Sequence, residues 1–119
     1  MALSHASPWQ VIDLYPLGKS LLETPAHAIV KTHSLELIRL VLLAGETRPP
    51  HKVYGELTLH CLEGEVAVDG DGVSCRLTPQ QLVLLPSQAP YAIRAITDAS
   101  LLMTVQLPPG LPGSASSTM

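Results

Sequence analysis

Short runs of apolar residues recur along the chain, and glycine, proline and aspartate lie between them. The runs are AHAIVKT, LELIRLVLL, ELTLHCL, EVAV, VSCRL, LVLLP, YAIRAI and LLMTVQL. Several short strands at regular spacing, with turn residues between them, are typical of a β-sandwich or β-barrel. The pattern therefore predicts an all-β domain.

Two segments carry specific local signals. VAVDGDGVSC predicts a β-hairpin, since Asp69–Gly72 supplies residues that tolerate positive φ between two β-branched flanks. SLELIRLVLLAG fits two structures, because Ser34 can cap a helix, Gly45 can end one and leucine favours helices. An apolar run of this kind also fits a buried strand, so the pattern alone leaves the segment open.

The length and the ends of the chain predict one domain with an extension on each side. A chain of 119 residues can bury a single apolar core. We expect an N-terminal arm over residues 1–24, with one short helical turn within LYPLGKSLLETP, and a barrel over residues 25–107. Residues 108–119 are rich in proline, glycine and serine, which predicts a flexible tail.

Charge and hydropathy exclude two classes of partner. The net charge is −3 and the seven lysines and arginines are scattered, which predicts no nucleic-acid binding. The longest uninterrupted apolar stretch, Leu40–Ala44, is far shorter than the ~20 residues of a membrane helix. The first residues, MALSHASPWQ, have no basic segment followed by an apolar one, as a secretory signal would. We therefore expect a soluble, cytoplasmic protein without a membrane partner.

The two cysteines, Cys61 and Cys75, have no zinc-type or redox spacing. If Val68 pairs with Val73 across the hairpin, Cys75 lies opposite Val66 and about 16 Å from Cys61. A disulfide needs Cα atoms within ~7 Å of each other. The sequence therefore predicts two free thiols.

The stretch GETRPPHKVYGELTLHCLEG carries the most specific spacing in the chain. Gly45, His51 and Gly64 are spaced as in the first cupin motif, G(X)5HXH(X)3–4E(X)6G. The later stretch QQLVLLPSQAPYAIRA resembles the second motif, G(X)5PXG(X)2H(X)3N, and keeps its proline as Pro86. The chain thus resembles small single-domain cupins. This resemblance implies an antiparallel jelly-roll barrel, also called a double-stranded β-helix, and favours a strand over Leu35–Leu43.

The metal-ligand positions of the cupin motifs are mostly replaced. Val53 stands at the second histidine, Leu57 at the glutamate and Tyr91 at the histidine of the second motif, so only His51 is retained. First-row metals need three or four converging protein ligands. We therefore expect no cofactor. A divalent metal bound weakly by a substitute set of His51, Cys61 and Tyr91 is the alternative.

The alternation of side chains along the ELTLHCL strand predicts which residues face the pocket. If Leu57 points inward, Cys61 does too, while Glu56 and His60 point outward. A slip of one residue would reverse every side chain, bring Glu56 inside and expose apolar groups at about 25 cal/mol per Å². The predicted pocket residues are His51, Val53, Leu57, Leu59, Cys61 and Tyr91.

Three functions fit these observations. The leading one is non-catalytic binding of a small, largely apolar molecule in a barrel pocket whose metal site has degenerated. The second is a metal-dependent cupin enzyme, an oxygenase or isomerase, with a non-standard ligand set. The third is a structural or regulatory dimer without a ligand. Runs such as ELIRLVLL and LVLLP are apolar at both parities and so are buried on both faces, which predicts a homodimer.

Overall fold

The computed structural model describes residues 5–51 and 54–108, and it describes no side chain at residues 49–51. The first element is a 3-10 helix, Gly18–Glu23, which lies in the segment for which one helical turn is predicted. The strands that follow are β1 His27–Lys31, β2 Leu35–Leu42, β3 Thr47–His51, β4 Leu57–Glu63, β5 Val66–Asp69, β6 Ser74–Leu77, β7 Leu82–Leu85, β8 Tyr91–Ala95 and β9 Ala99–Gln106. In the described part of the chain, no helix is long and apolar enough to span a membrane.

The strands form two antiparallel sheets. The first has the order β1-β2-β9-β4-β7 and the second has the order β3-β8-β5-β6. Sequence neighbours such as β2 and β3 lie in different sheets, so the chain crosses repeatedly between them, as in a jelly roll. Within the described ranges, strand pairing does not join the two sheets into a closed ring. The predicted all-β, antiparallel jelly roll is confirmed.

The segment that the sequence left open is a strand. β2 pairs with β9 along its whole length, from Leu35 opposite Gln106 to Leu42 opposite Ala99. Alternate residues, among them Ile38, are buried in the core between the sheets. The leucines favour a helix locally, but a central strand with partners on both sides buries them more completely. Tertiary packing therefore overrides helix propensity here.

The core is aliphatic and lies between the two sheets. In β4, Leu57, Leu59 and Cys61 are buried in this core while Glu56 is exposed, so the predicted side-chain alternation is confirmed. The register slip that would bring Glu56 inside does not occur. The other buried core residues are Ile38, Leu40, Leu42, Val66, Val68, Leu77, Tyr91, Ile93, Ala95, Ala99, Leu101, Met103, Val105 and Leu107.

The predicted hairpin is present, but its register differs from the prediction. Val68 pairs with Cys75, not with Val73, and Val66 pairs with Leu77. The connection keeps four residues but lies one residue later than predicted, over 70–73, because Asp69 pairs with Ser74 and Gly70 donates its N–H to the carbonyl of Val73 at 2.8 Å. Both cysteines are free, as predicted, and they lie in different sheets.

The N-terminal arm lies on the outer face of the five-stranded sheet. The carboxylate of Glu63 accepts the backbone N–H groups of Leu17 and Gly18 at 2.7 and 3.1 Å. Arg39, on the outward face of β2, donates to the carbonyl of Tyr15 at 2.8 Å. Charged side chains of the sheet thus hold the arm through its backbone.

Candidate functional site

A cavity of about 250 Å³ opens beside strands β1 and β2, facing β3. Side chains alternate along β2, so Glu36, Ile38 and Leu40 point to the same face of the sheet. Ala28 of β1 pairs with Ile38 and therefore lies on this face too. The wall is completed by Arg48 from β3. The lining residues are Ala26, His27, Ala28, Glu36, Ile38, Leu40 and Arg48. We call this space the Glu36–Arg48 cavity.

Glu36 is the buried acid of this cavity. It is 5% exposed, although its neighbours on the same face of β2 are aliphatic. Its Oε2 lies 3.9 Å from Nζ of Lys31, its cross-strand partner on β1. Its Oε1 is shielded from solvent and has no hydrogen-bond partner among the described residues. A buried acceptor without a donor is costly, so a donor supplied by a bound molecule would stabilise this site.

Arg48 brings a positive charge to the same cavity. It pairs with Ile93 in the β3–β8 ladder, so its side chain leaves the sheet on the face that Ile93 buries in the core. The guanidinium also acts electrostatically on Tyr91. Burial raises the pKa of Tyr91 to about 12, and the charge of Arg48 opposes this rise. The phenol is therefore neutral near pH 7.

Two of the predicted pocket residues, His51 and Tyr91, are directly opposite each other in the β3–β8 ladder. Tyr91 is 4% exposed and its hydroxyl donates to Sδ of Met103 at 3.9 Å. The side chain of His51 is outside the described set, and Val53 lies outside the described residues. The structure thus brings the backbones at His51 and Tyr91 together, while the roles of their side chains stay predictions.

The other predicted pocket residues are packed in the core. Leu57, Leu59 and Cys61 are all almost fully buried. The Cys61 thiol donates to the carbonyls of Glu63 and Gly64 at 3.6 and 3.4 Å, and burial raises its pKa. Cys61 lies four residues along β4 from Leu57, which corresponds to about 13 Å. Cys61 is thus at the opposite end of the strand from the position of the cupin glutamate.

The side chains at the cupin ligand positions do not fit a standard metal centre. Leu57 offers no donor atom, and Tyr91 places a phenol where the cupin motif has an imidazole. Among the residues whose side chains are described, no three His, Cys, Asp or Glu side chains gather as metal ligands.

Sequence reasoning missed both charged residues of the cavity. Glu36 has the same parity as Ile38 and Leu40 in LELIRLVLL, which would have marked it as a carboxylate on a core-facing position. Arg48 precedes two prolines, and its direction is fixed only by the pairing of β3 with β8. The position of Glu36 could therefore have been predicted from the sequence, whereas that of Arg48 depends on how the strands pair.

Comparison with known proteins bears on the fold. No family model and no curated protein matches this sequence. A protein of unknown function from Streptococcus pyogenes is similar over 91% of this chain and 96% of its own, with TM-score 0.72 and 18% identity. A cupin superfamily protein from Desulfitobacterium hafniense is similar over 68% of this chain and 74% of its own, with TM-score 0.66 and 17% identity.

The protein has the cupin fold. The resemblance to cupins that was drawn from motif spacing is confirmed at this level. A mutant of salicylate 1,2-dioxygenase from Pseudoaminobacter salicylatoxidans is also similar, over 65% of this chain and 22% of its own, with TM-score 0.59 and 22% identity. At such identities the likeness establishes the fold, and function has to be argued from the site.

Proposed function

We propose that this cupin-fold protein binds a small molecule in the Glu36–Arg48 cavity. The observation that carries the proposal is Glu36, a buried carboxylate on the cavity wall with one oxygen that lacks a donor among the described residues. Ile38, Leu40 and Ala28 supply an aliphatic wall, which supports the apolar contacts predicted from the sequence. Glu36 and Arg48 add charged groups that a ligand must satisfy, beyond the apolar contacts predicted from the sequence.

We propose binding without catalysis as the role of this cavity. The two described cupin ligand positions carry Leu57 and a neutral Tyr91, so the chemistry of a cupin metal centre has little support. The alternative, a metal-dependent oxygenase or isomerase, draws on the likeness in fold to salicylate 1,2-dioxygenase. The metal content of the purified protein separates the two alternatives.

Methyl-detected NMR provides the direct test of ligand binding. The protein, labelled at Ile and Leu methyl groups, is titrated with a panel of small acids, alcohols, amines and sugars. We expect at least one class to shift the resonances of Ile38 and Leu40, which line the cavity, and to leave Leu101 in the core unchanged.

A filled cavity is the matched control for that titration. Ala28→Leu places a larger side chain on the cavity wall and should abolish the resonance shifts. Ala26→Phe, at an exposed position on the same wall, should fill the cavity and abolish the shifts as well. Cooperative thermal unfolding of each variant verifies that it is folded. Shifts that persist in both variants, or a panel that leaves Ile38 and Leu40 unchanged, would reject the proposed function.

We further propose that the protein is a homodimer that pairs through the outward-facing side chains of β7, at the edge of the five-stranded sheet. Leu82 and Leu84 on this side of β7 are each 59% exposed, and Leu82 is directly opposite His60. Light scattering should give twice the chain mass, and Leu84→Glu should give a monomer. Val73→Glu, at an exposed apolar position in the hairpin loop, is the matched control that should leave the dimer intact. A wild-type monomer at micromolar concentration would reject this assembly.

A further inference from the structure

We infer that the Glu36–Arg48 cavity is built for a small hydroxycarboxylate, an inference that rests on the proposed binding function. The two charged side chains, the charge balance around them and the size of the cavity each restrict the ligand.

Arg48 calls for a carboxylate. A guanidinium stays charged at any physiological pH and presents a planar set of N–H donors that matches a carboxylate in two parallel hydrogen bonds. Among the described residues, no carboxylate lies within ion-pair distance of Arg48, although Glu36 lines the same cavity. A ligand carboxylate would therefore supply the acceptor that the described chain does not.

Glu36 calls for a hydrogen-bond donor. A carboxylate is an acceptor only, and Oε1 of Glu36 lacks a donor among the described residues. The same carboxylate would repel a ligand that is anionic throughout. The ligand must therefore carry a donor group on the side of Glu36 and its anionic group on the side of Arg48.

The charge balance selects a hydroxyl as that donor. Lys31 and Arg48 are positive and Glu36 is negative, so the groups around the cavity carry one net positive charge. One ligand carboxylate neutralises this excess. An added ammonium would restore it beside Lys31, which lies 3.9 Å from Glu36, whereas a hydroxyl donates to Glu36 without adding charge.

The volume and the aliphatic wall set the size of the ligand. A cavity of about 250 Å³ has the volume of about eight liquid waters, which corresponds to a molecule of roughly eight to ten non-hydrogen atoms. Ile38, Leu40 and Ala28 would contact its carbon skeleton. A short aliphatic 2-hydroxycarboxylate meets all of these restrictions.

Titration calorimetry with four matched compounds tests the ligand class. They are 2-hydroxy-4-methylpentanoate, the deoxy acid 4-methylpentanoate, the diol 4-methylpentane-1,2-diol and the amino acid leucine. Each analogue lacks or changes one group of the first compound. We expect the hydroxy acid to bind about tenfold or more tightly than each of the others, because each loses a charge-assisted hydrogen bond or adds a charge.

Variants assign the two groups of the ligand to the two side chains. Arg48→Gln should weaken the hydroxy acid about tenfold and leave the diol unchanged. Glu36→Met keeps the length of the side chain and should reduce the preference for the hydroxy acid over the deoxy acid to about onefold. Arg94→Gln and Glu56→Met, at exposed positions, are the matched controls and should change neither ratio.

The outcomes separate this inference from the proposed function. If another class of compound shifts the methyl resonances of Ile38 and Leu40, while the protein binds the hydroxy acid no more tightly than its analogues, the hydroxycarboxylate is rejected. The proposal that the cavity binds a ligand then stands. If the hydroxy acid binds equally well to Arg48→Gln, Glu36→Met and Ala28→Leu, its binding site is elsewhere and the inference is overturned. The inference is supported if the hydroxy acid loses its affinity advantage over the diol in Arg48→Gln and over the deoxy acid in Glu36→Met, and keeps both advantages in the control variants.

Discussion

Nη2 of Arg39 lies 3.4 Å from Oε2 of Glu63 beneath the N-terminal arm, and the arginine is almost fully buried. Ser100 lies between them, donating its hydroxyl to Glu63 at 2.5 Å and accepting from Arg39 at 3.0 Å. The same Glu63 carboxylate receives the N–H groups of Leu17 and Gly18. One acid therefore joins β2, β9 and the arm.

Removing this acid should destabilise the protein strongly. Glu63→Ala leaves Arg39 buried without its counter-charge, and breaking a buried ion pair costs about 3 to 5 kcal/mol. Urea unfolding should show a loss near the lower end, because Glu63 is itself partly exposed. Trypsin should also cleave faster after Lys19, since the arm loses its hydrogen bonds at Leu17 and Gly18, next to this site.

Glu65→Ala is the matched control for that loss. Glu65 pairs with Arg76, whose side chain is 64% exposed, and such a surface pair contributes less than about 1 kcal/mol. Equal losses for Glu63→Ala and Glu65→Ala would contradict the structural role of the Arg39–Glu63 pair.

The same carboxylate predicts how stability depends on acid. Burial alone would raise the pKa of Glu63, but hydrogen bonds from Ser100, Leu17 and Gly18 and the charge of Arg39 together lower it below its ordinary value of 4.5. The folded state therefore binds this proton less readily than the unfolded state. The stabilisation is present above about pH 4.5 and is lost as the pH falls through the lowered pKa.

Urea midpoints of the wild type and Glu63→Gln, measured from about pH 6 to about pH 3, check this dependence. The stability difference between the two proteins should be constant at the upper end and shrink below about pH 4.5. Subtracting the variant removes the contributions of the other carboxylates. A difference that grows as the pH falls would contradict the lowered pKa of Glu63.

Much of the fold could be predicted from the sequence because its signals are local. The alternation in ELTLHCL has one arrangement that buries its apolar groups, and Leu57 and Cys61 take it. The motif glycines Gly45 and Gly64 both adopt positive φ, a backbone conformation that glycine takes without the steric penalty of a Cβ. The local sequence pattern therefore predicts the strands and which of their side chains face the core.

The missed features depend on residues that are distant in the sequence. Arg39 and Glu63 each look like a surface charge within an apolar run, and only the packing of the arm buries them together. The predicted hairpin register is wrong because Asp69 continues the strand and pairs with Ser74, which moves the four-residue connection by one residue and pairs Val68 with Cys75. Glu36 differs from these residues, because its parity with Ile38 and Leu40 in LELIRLVLL is a local signal for a core-facing position.

The two motif glycines differ in what surrounds them, which predicts unequal costs for alanine. Both have positive φ, 86° for Gly45 and 78° for Gly64, so each substitution costs about 1 to 2 kcal/mol in backbone strain. At Gly64 a Cβ would also overlap the carbonyl oxygen of Asp98 and lie 2.7 Å from Cα of Ala99. Nothing lies within 4 Å of a Cβ at Gly45.

We therefore expect Gly64→Ala to lose roughly 1 to 3 kcal/mol more than Gly45→Ala, the usual cost of overpacking. Urea unfolding of the two variants measures this difference. Equal losses would mean that Gly64 is required only for its backbone conformation and that the contact with Asp98 and Ala99 relaxes freely.

The metal content of the purified protein tests the predicted absence of a cofactor. Leu57 and Tyr91 replace two cupin ligands, so we expect elemental analysis of protein purified without chelators to find well below one equivalent of Fe, Mn, Ni or Zn. Close to one equivalent, lost in His51→Ala and kept in the exposed control His33→Ala, would contradict this prediction and favour the enzyme alternative.

Burial of Tyr91 predicts a late ionisation. Burial raises its pKa from an ordinary 10.0 to about 12, and the charge of Arg48 partly opposes this rise. In a spectrophotometric titration, the absorbance of tyrosinate is recorded for the wild type and for Tyr91→Phe. The difference between the two curves should show the ionisation of Tyr91 near pH 12. Arg48→Gln should move that ionisation to still higher pH, whereas Tyr54→Phe, at an exposed position, should leave it in place.

The raised pKa of Tyr91 also affects stability in alkali. The folded state keeps a proton that the unfolded state loses above about pH 10, so the contribution of Tyr91 is complete below pH 10 and is lost towards pH 12. Relative to Tyr91→Phe, the wild type should lose about 1.4 kcal/mol for each pH unit in this window. Parallel stability profiles of the two proteins would mean that the Tyr91 phenol is accessible to solvent in the folded protein.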